Sequence, residues 1–141
     1  MTLRLVHAER PDAADEQTIR DRLDGWNVVV TGRDDWGPIA IFLRDEQDRI
    51  RGGVLGDFWA GWLHVKFLWV DEDCRRHGWG AKLLEAAESV ARERGCGNVH
   101  LDTFSFQAGS DFYRRFGYEV FGVLDEYPAG YSHYFMRKRL A

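Results

Sequence analysis

From Ile39 onward, apolar and polar residues alternate in short runs broken by glycines and acidic clusters. Ile39-Ala40-Ile41-Phe42-Leu43 predicts a strand and Asp45-Glu46-Gln47-Asp48 a polar turn. Ile50 to Trp59 predicts a second strand, weakened by Gly52, Gly53 and Gly56. After a tight Ala60-Gly61 connection, Trp62 to Val70 predicts a third strand, with Leu63, Val65 and Phe67 alternating against His64 and Lys66. Three such strands in succession form an antiparallel meander.

The period then changes. Between Gly78 and Arg94, Leu83, Leu84, Ala87, Val90 and Ala91 recur at helical spacing, and Gly95 and Gly97 stop the helix. Val99 to Phe104 alternates as a strand, so a strand-helix-strand unit with parallel pairing and a right-handed crossover is expected. A short helix over Gly109 to Phe116, closed by Gly117, precedes two last strands, Tyr118 to Leu124 and His133 to Met136. Arg137-Lys138-Arg139 reads as a solvated strand end. Ahead of Ile39 the signal is thinner. Leu3 to Val6 reads as a short strand, and Ala13 to Asp24 as a modest amphipathic helix ended by Gly25. Val28-Val29-Val30 is the strand-like run before Pro38. No repeat or linker interrupts the chain, so residues 1–141 are expected to form one α/β domain. Its sheet is mixed and mostly antiparallel, with a central strand-helix-strand unit and flanking helices.

Composition narrows the function. The 141 residues are 45% hydrophobic and 30% charged, enough for a buried core and a soluble surface. Aromatic residues make up 14%, more than a core of this size needs, so some rings are expected to line a cleft. The net charge of -4 and the lack of a basic stripe argue against nucleic acid as partner. No apolar run approaches the ~18 residues of a membrane span, and Met1 to Arg10 carries no signal-peptide region. Cys74 and Cys96 fit neither a zinc spacing nor a disulfide framework. The expectation is a cytoplasmic protein with two free thiols and no metal.

The segment with most chemical content runs from Phe67 to Ala81. A strand ends, the polar loop Asp71-Glu72-Asp73-Cys74-Arg75-Arg76-His77 follows, and Gly78-Trp79-Gly80-Ala81 opens the long helix. Unpaired N–H groups and the helix dipole favour a phosphate there, and glycine lets it approach the backbone. Arg75, Arg76 and Lys82 add positive charge. Gly-x-Gly alone also suits a plain strand-to-helix turn. The P-loop pattern is absent, and Leu83 stands where a dinucleotide fingerprint needs a third glycine.

Arg75-x-x-Gly78-x-Gly80 resembles the Gln/Arg-x-x-Gly-x-Gly/Ala signature of the GNAT superfamily of N-acetyltransferases. Phe112-Tyr113-Arg114-Arg115-Phe116-Gly117-Tyr118 resembles that family's Leu/Phe-Tyr-x-x-x-Gly-Phe segment. The likeness extends from about Ile39 to the C-terminus. It implies acetyl-CoA as cosubstrate, its pyrophosphate on the backbone amides of Arg75, Arg76, His77, Gly78, Trp79, Gly80 and Ala81. It further implies that Leu68-Trp69-Val70 lies on a central strand that splays from its parallel neighbour and holds the pantetheine arm and acetyl carbonyl. The family often has an asparagine several residues before its tyrosine; here Gln107 is the substitute.

Acetyl transfer to an amine needs a neutral amine, a stabilised oxyanion and a proton for the leaving thiolate. By resemblance Tyr113 is the acid, and Phe112 and Phe116, four apart, are expected to take the apolar face and leave it free. His64, six residues before Val70 where some relatives carry a glutamate base, is the first candidate base. A structural histidine fits the same residue. Asp57 and Asp102 are alternatives, acting through a water or binding the substrate ammonium. A backbone N–H at Leu68 or Trp69 is the expected oxyanion donor. Trp59 and Trp62 could line an acceptor pocket or stack on a cation. The acceptor stays open between a small-molecule amine and a protein amine. An acyl-CoA-binding module without turnover and an enzyme with a longer acyl donor are the competing readings. Many family members dimerise through terminal strands, which makes Tyr131 to Leu140 the candidate homodimer edge.

Overall fold

In the computed structural model, which describes residues 1–107 and 109–140, the chain divides into two units, Met1–Asp34 and Asp35–Ala141. In the first, Asp12 precedes helix α1 (Ala13–Thr31). The Leu3 to Val6 strand does not form, and neither Gly25 nor the valine run ends the helix. A glycine inside a helix costs about 1 kcal/mol and does not stop it. A stop needs left-handed backbone beyond the last turn, and Gly32 supplies it at φ 69°, its N–H donating to the Val28 carbonyl at 2.7 Å.

The second unit is a six-stranded sheet in the order β1-β2-β3-β4-β6-β5. Strands β1 (Gly37–Arg44), β2 (Ile50–Trp59) and β3 (Trp62–Val70) form the expected meander. Helix α2 (Trp79–Glu93) carries the chain to β4 (Asn98–Phe104), which pairs with β3 in parallel. Helix α3 (Gly109–Arg115) leads to β5 (Glu119–Asp125) and β6 (Ser132–Arg139), with β6 antiparallel to both β4 and β5, so Tyr131 to Leu140 is not the free sheet edge expected for pairing across subunits.

One face of this sheet is the core. Val54, Leu63, Val99, Leu101 and Met136 pack with Leu83, Leu84, Ala87 and Ala91 of α2 and with Tyr113 of α3. Burying one such leucine or valine stabilises the fold by roughly 1.5–3 kcal/mol, and the helical spacing read in α2 is the stripe that does it. The basic end does not simply face solvent. Lys138 Nζ donates to Glu88 Oε1 at 2.8 Å, and Tyr118 Oη donates to Glu88 Oε2 at 2.7 Å. Glu88 is buried on α2, so its charge requires those partners.

The alternation read in β3 fails at one place. Gly56 pairs with Val65 and Leu55 with Phe67, leaving Lys66 as a bulged residue. Leu63 and Val65 point to the core, and beyond the bulge Leu68 and Val70 do so instead, while Phe67 is exposed. Gly56 permits this, because a Cβ there would collide with the His64 carbonyl oxygen.

Candidate active site

The bulge coincides with a parting of the parallel strands. The β3–β4 ladder covers Trp62–Val65 against Asn98–Leu101 and then stops. Beyond it, Lys66 to Val70 keeps its β2 partners, and Asp102 to Phe104 keeps its β6 partners. A wedge opens between the two strands at the height of Leu68 and Trp69. Backbone groups that a continued ladder would use face this wedge, which is where the resemblance puts the acetyl carbonyl.

Val70 leads into the glycine loop. Asp71 starts a single 3-10 turn, Glu72–Cys74, and the backbone is left-handed at Arg76 (φ 66°) and Gly78 (φ 80°) before α2 begins. No side chain caps the N-terminus of α2. Nothing lies within 4 Å of a Cβ built on Gly78. The first-turn amides of α2 and open space in front of them fit an anionic diphosphate. A cleft of about 330 Å³ beside it is lined by Glu72, Arg75 and Arg76. Arg75 also ties the loop to the strand, its Nε donating to the Val70 carbonyl at 2.9 Å. His77, Trp79 and Ala81 complete the turn, with Lys82 Nζ 4.4 Å from the Trp79 ring centre. The sequence reading missed Arg51. Its guanidinium lies 3.2 Å from Asp71 and 3.4 Å from Asp73, and its carbonyl accepts the Asp71 N–H, so it fixes the start of the loop from β2.

Tyr113 lies on the core face and is 8% exposed, while Phe112 and Phe116 are only partly buried, the reverse of the expected division. The cause is the close approach of α3 to β4. A Cβ on Gly109 would fall 2.7 Å from Thr103 Oγ1 and 3.1 Å from the Tyr113 ring. Burial, and secondarily the Asp102 charge, pushes the Tyr113 phenol up to about 12, so its oxygen holds a proton at neutral pH. Gln107 folds back on β4. Its Oε1 accepts from Thr103 Oγ1 and from the Phe104 N–H, both at 3.0 Å, leaving its amide N–H groups to serve as donors.

The second face of the sheet carries the alternate residues. Asp57 stands opposite His64, and Trp59 opposite Trp62, across β2 and β3. His64 stands beside His100, their rings stacked 4.2 Å apart. Asp57, Trp59, Ala60, Trp62, His64 and His100 line a cleft of about 370 Å³. Burial first and the neighbouring His64 second hold the His100 imidazole below its usual range. Both carboxylates have partners. Asp57 Oδ2 meets Lys66 Nζ at 2.6 Å. Asp102 meets His133 Nε2 at 2.7 Å through Oδ2 and His64 Nε2 at 3.9 Å through Oδ1. Alternation within β6 alone did not single out His133; only the β4–β6 register brings it beside Asp102. Among the described residues, no group of three or more His, Cys, Asp or Glu side chains is arranged to hold a metal ion, and no helix is long and apolar enough to cross a membrane.

Fold and site define a class: a mixed α/β domain whose central parallel strands part beside a bare, glycine-opened helix N-terminus. Residues 4–118 match the model of the acetyltransferase (GNAT) family. Over 137 residues the chain is 34% identical to an acetyltransferase of Agrobacterium fabrum, a match spanning 97% of this chain and 99% of that protein. It is 37% identical over 102 residues to the blasticidin-S acetyltransferase of Streptomyces morookaense, spanning 72% of this chain and 74% of the relative. The crystal structure of an Agrobacterium tumefaciens protein described as an acetyltransferase superposes with a TM-score of 0.90 at 33% identity, covering 97% and 99% of the two chains. The chain belongs to the GNAT family of acetyltransferases.

Proposed function

We propose that this protein transfers an acetyl group from acetyl-CoA to a primary amine by direct attack, without a covalent enzyme intermediate. The parting of β3 from β4 carries the reading, because it joins the two faces of the sheet. Tyr113 and the α2 amides lie toward one face and His64 toward the other. In this scheme the amine nitrogen forms its bond to the thioester carbonyl carbon as the C–S bond breaks. His64 receives the proton lost by the amine. The backbone N–H groups of Leu68 or Trp69 support the oxyanion. Tyr113 donates its phenol hydrogen to the departing sulfur, and solvent returns a proton to the phenol from His64. Backbone amides from Arg75 to Ala81 hold the diphosphate, and Gln107 donates toward the pantetheine arm through its amide.

The acceptor we infer is a small cationic amine. The cleft beside His64 offers two indole rings and the Asp57 carboxylate, which suit a cation. The Streptomyces relative, named for blasticidin S, is one reason to include that compound in a test.

The experiment is thiol release from acetyl-CoA over a panel of polyamines, aminoglycosides, amino acids, blasticidin S and amino-terminal peptides. Turnover with at least one amine, cut about tenfold or more by His64→Ala, supports the scheme. Tight acetyl-CoA binding with no thiol release from any amine would favour the non-catalytic acyl-CoA-binding module. Faster release from propionyl- or butyryl-CoA would assign a longer donor. An unchanged rate in His64→Ala at every pH removes that histidine from the base role and leaves it to Asp57 or Asp102 acting through water.

A further inference from the structure

We propose that His133 is a positioning residue of this site, holding the Asp102 carboxylate so that its second oxygen faces His64. The inference rests on the reading of His64 as the base.

His133 stands opposite Phe104 on β4, one diagonal step from Asp102. Three rings fix its imidazole: Phe104 at 4.3 Å, Phe135 at 4.7 Å and Tyr127 at 4.9 Å between ring centres. The side chain is 9% exposed, and its Nε2 lies 2.7 Å from Asp102 Oδ2. Its other nitrogen, Nδ1, is buried and has no hydrogen-bond partner among the described residues. A proton on Nδ1 would be a buried donor without an acceptor among the described residues, which is unfavourable. The proton therefore sits on Nε2, and His133 donates to the carboxylate. A ring serving packing alone gains nothing from an orphaned nitrogen, and phenylalanine would fill the same stack without one.

The clamp leaves Asp102 Oδ1 3.9 Å from His64 Nε2. That is long for a hydrogen bond but suited to supporting charge on His64, and such contacts tighten when substrate binds. The other charged or titratable groups around the pair are assigned. His100 stacks on His64 from β4, Asp57 faces it from β2 and is held by Lys66, and Tyr113 senses Asp102 from α3. A chain of three side chains thus crosses β6, β4 and β3 in the order His133, Asp102, His64.

The test is histidine-selective nitrogen NMR of the full chain over pH 5–9, on wild type, Asp102→Asn, His133→Phe and His133→Gln. It needs no acceptor. Wild-type His133 is expected as the Nε2–H tautomer. Asp102→Asn removes a negative charge beside His64, so the His64 ring-nitrogen signals and their pH response should change. His133→Phe keeps the ring stack but frees the carboxylate, so it should change them the same way, and His133→Gln, which restores an N–H donor, should reverse part of the change. With an amine that the wild type acetylates, His133→Phe should lower kcat about tenfold at unchanged KM for acetyl-CoA. A His133 bearing its proton on Nδ1, or His64 signals that respond to Asp102→Asn but not to His133→Phe, would overturn the proposal. If His64→Ala spares kcat while the NMR coupling holds, the fault lies with the choice of base and not with the clamp.

Discussion

Beneath α2 and α3, the strands present Val54, Leu63, Val65, Val99, Leu101 and Met136, each 2% exposed or less. On the same strands, the opposite face presents Asp57, His64, His100, Asp102 and His133. The first face meets no competing demand, because apolar side chains need only fill space. On the second, the charged and ring groups stay close together only because they are paired: Asp57 with Lys66, Asp102 with His133, His64 with His100. Two phenols are exceptions on the packed face: Tyr118, tied to the buried Glu88, and Tyr113, placed among apolar side chains beside the point where β3 and β4 separate. Under the proposed scheme, the contrast teaches that chemistry toward the cofactor can be built into a core, whereas chemistry toward the acceptor is built from cross-strand partners.

The comparison can be broken most forcefully at Tyr113. Tyr113→Phe should keep the fold and lower kcat by about 10²–10⁴-fold in the thiol-release assay, since it removes the proposed acid and little volume. Full turnover would make Tyr113 an ordinary core residue. On the same face, Glu88→Ala strands Lys138 and Tyr118 without their acceptor and should cost about 3–5 kcal/mol in urea unfolding. A loss below about 1 kcal/mol would show that the network is solvated.

Alkaline pH sharpens the picture next. Burial raises Tyr113 to about 12, and burial together with Glu88 raises Tyr118 as well. The folded state therefore prefers the neutral phenols. That contribution is intact below the ordinary phenol value of 10.0 and is lost as pH climbs from 10 toward 12. Thermal midpoints should fall across that window, and Tyr113→Phe should reduce the slope. The smallest effect belongs to the second face: Trp59→Ala should raise the acceptor KM about tenfold, roughly 1.4 kcal/mol, with KM for acetyl-CoA unchanged. Equal changes in both constants would remove Trp59 from the acceptor side.

Much of this was legible in the residues. The strand and helix periods from Ile39 onward give every strand and α-helix of the second unit, though not the 3-10 turn Glu72–Cys74, and Gly78 and Gly80 mark the α2 start because backbone exposure there is a local property. Beside Arg51, three further features of the second unit escaped. The Lys66 bulge inverts the expected facing of Phe67, and its one sequence trace is Gly56, whose missing Cβ matters only once Val65 pairs with it and the His64 carbonyl oxygen comes close. Tyr113 is buried because Gly109 brings α3 onto Thr103, a contact between elements and not a matter of spacing within one helix. The His133–Asp102 pair joins residues 31 apart through the β4–β6 register, which neither strand announces alone. Before residue 35, Gly25 and three valines suggested an interrupted segment, yet the chain closes its helix at Gly32, the glycine with left-handed backbone.

A crystal structure with acetyl-CoA bound tests the central claim most directly. The account predicts the diphosphate against the amides between Arg75 and Ala81. It places the acetyl carbonyl in the wedge between Lys66–Val70 and Asp102–Phe104, with its sulfur beside the Tyr113 hydroxyl and its carbon open to the His64 cleft. An acetyl group lodged away from that wedge, or a wedge closed by a continued β3–β4 ladder, would contradict it.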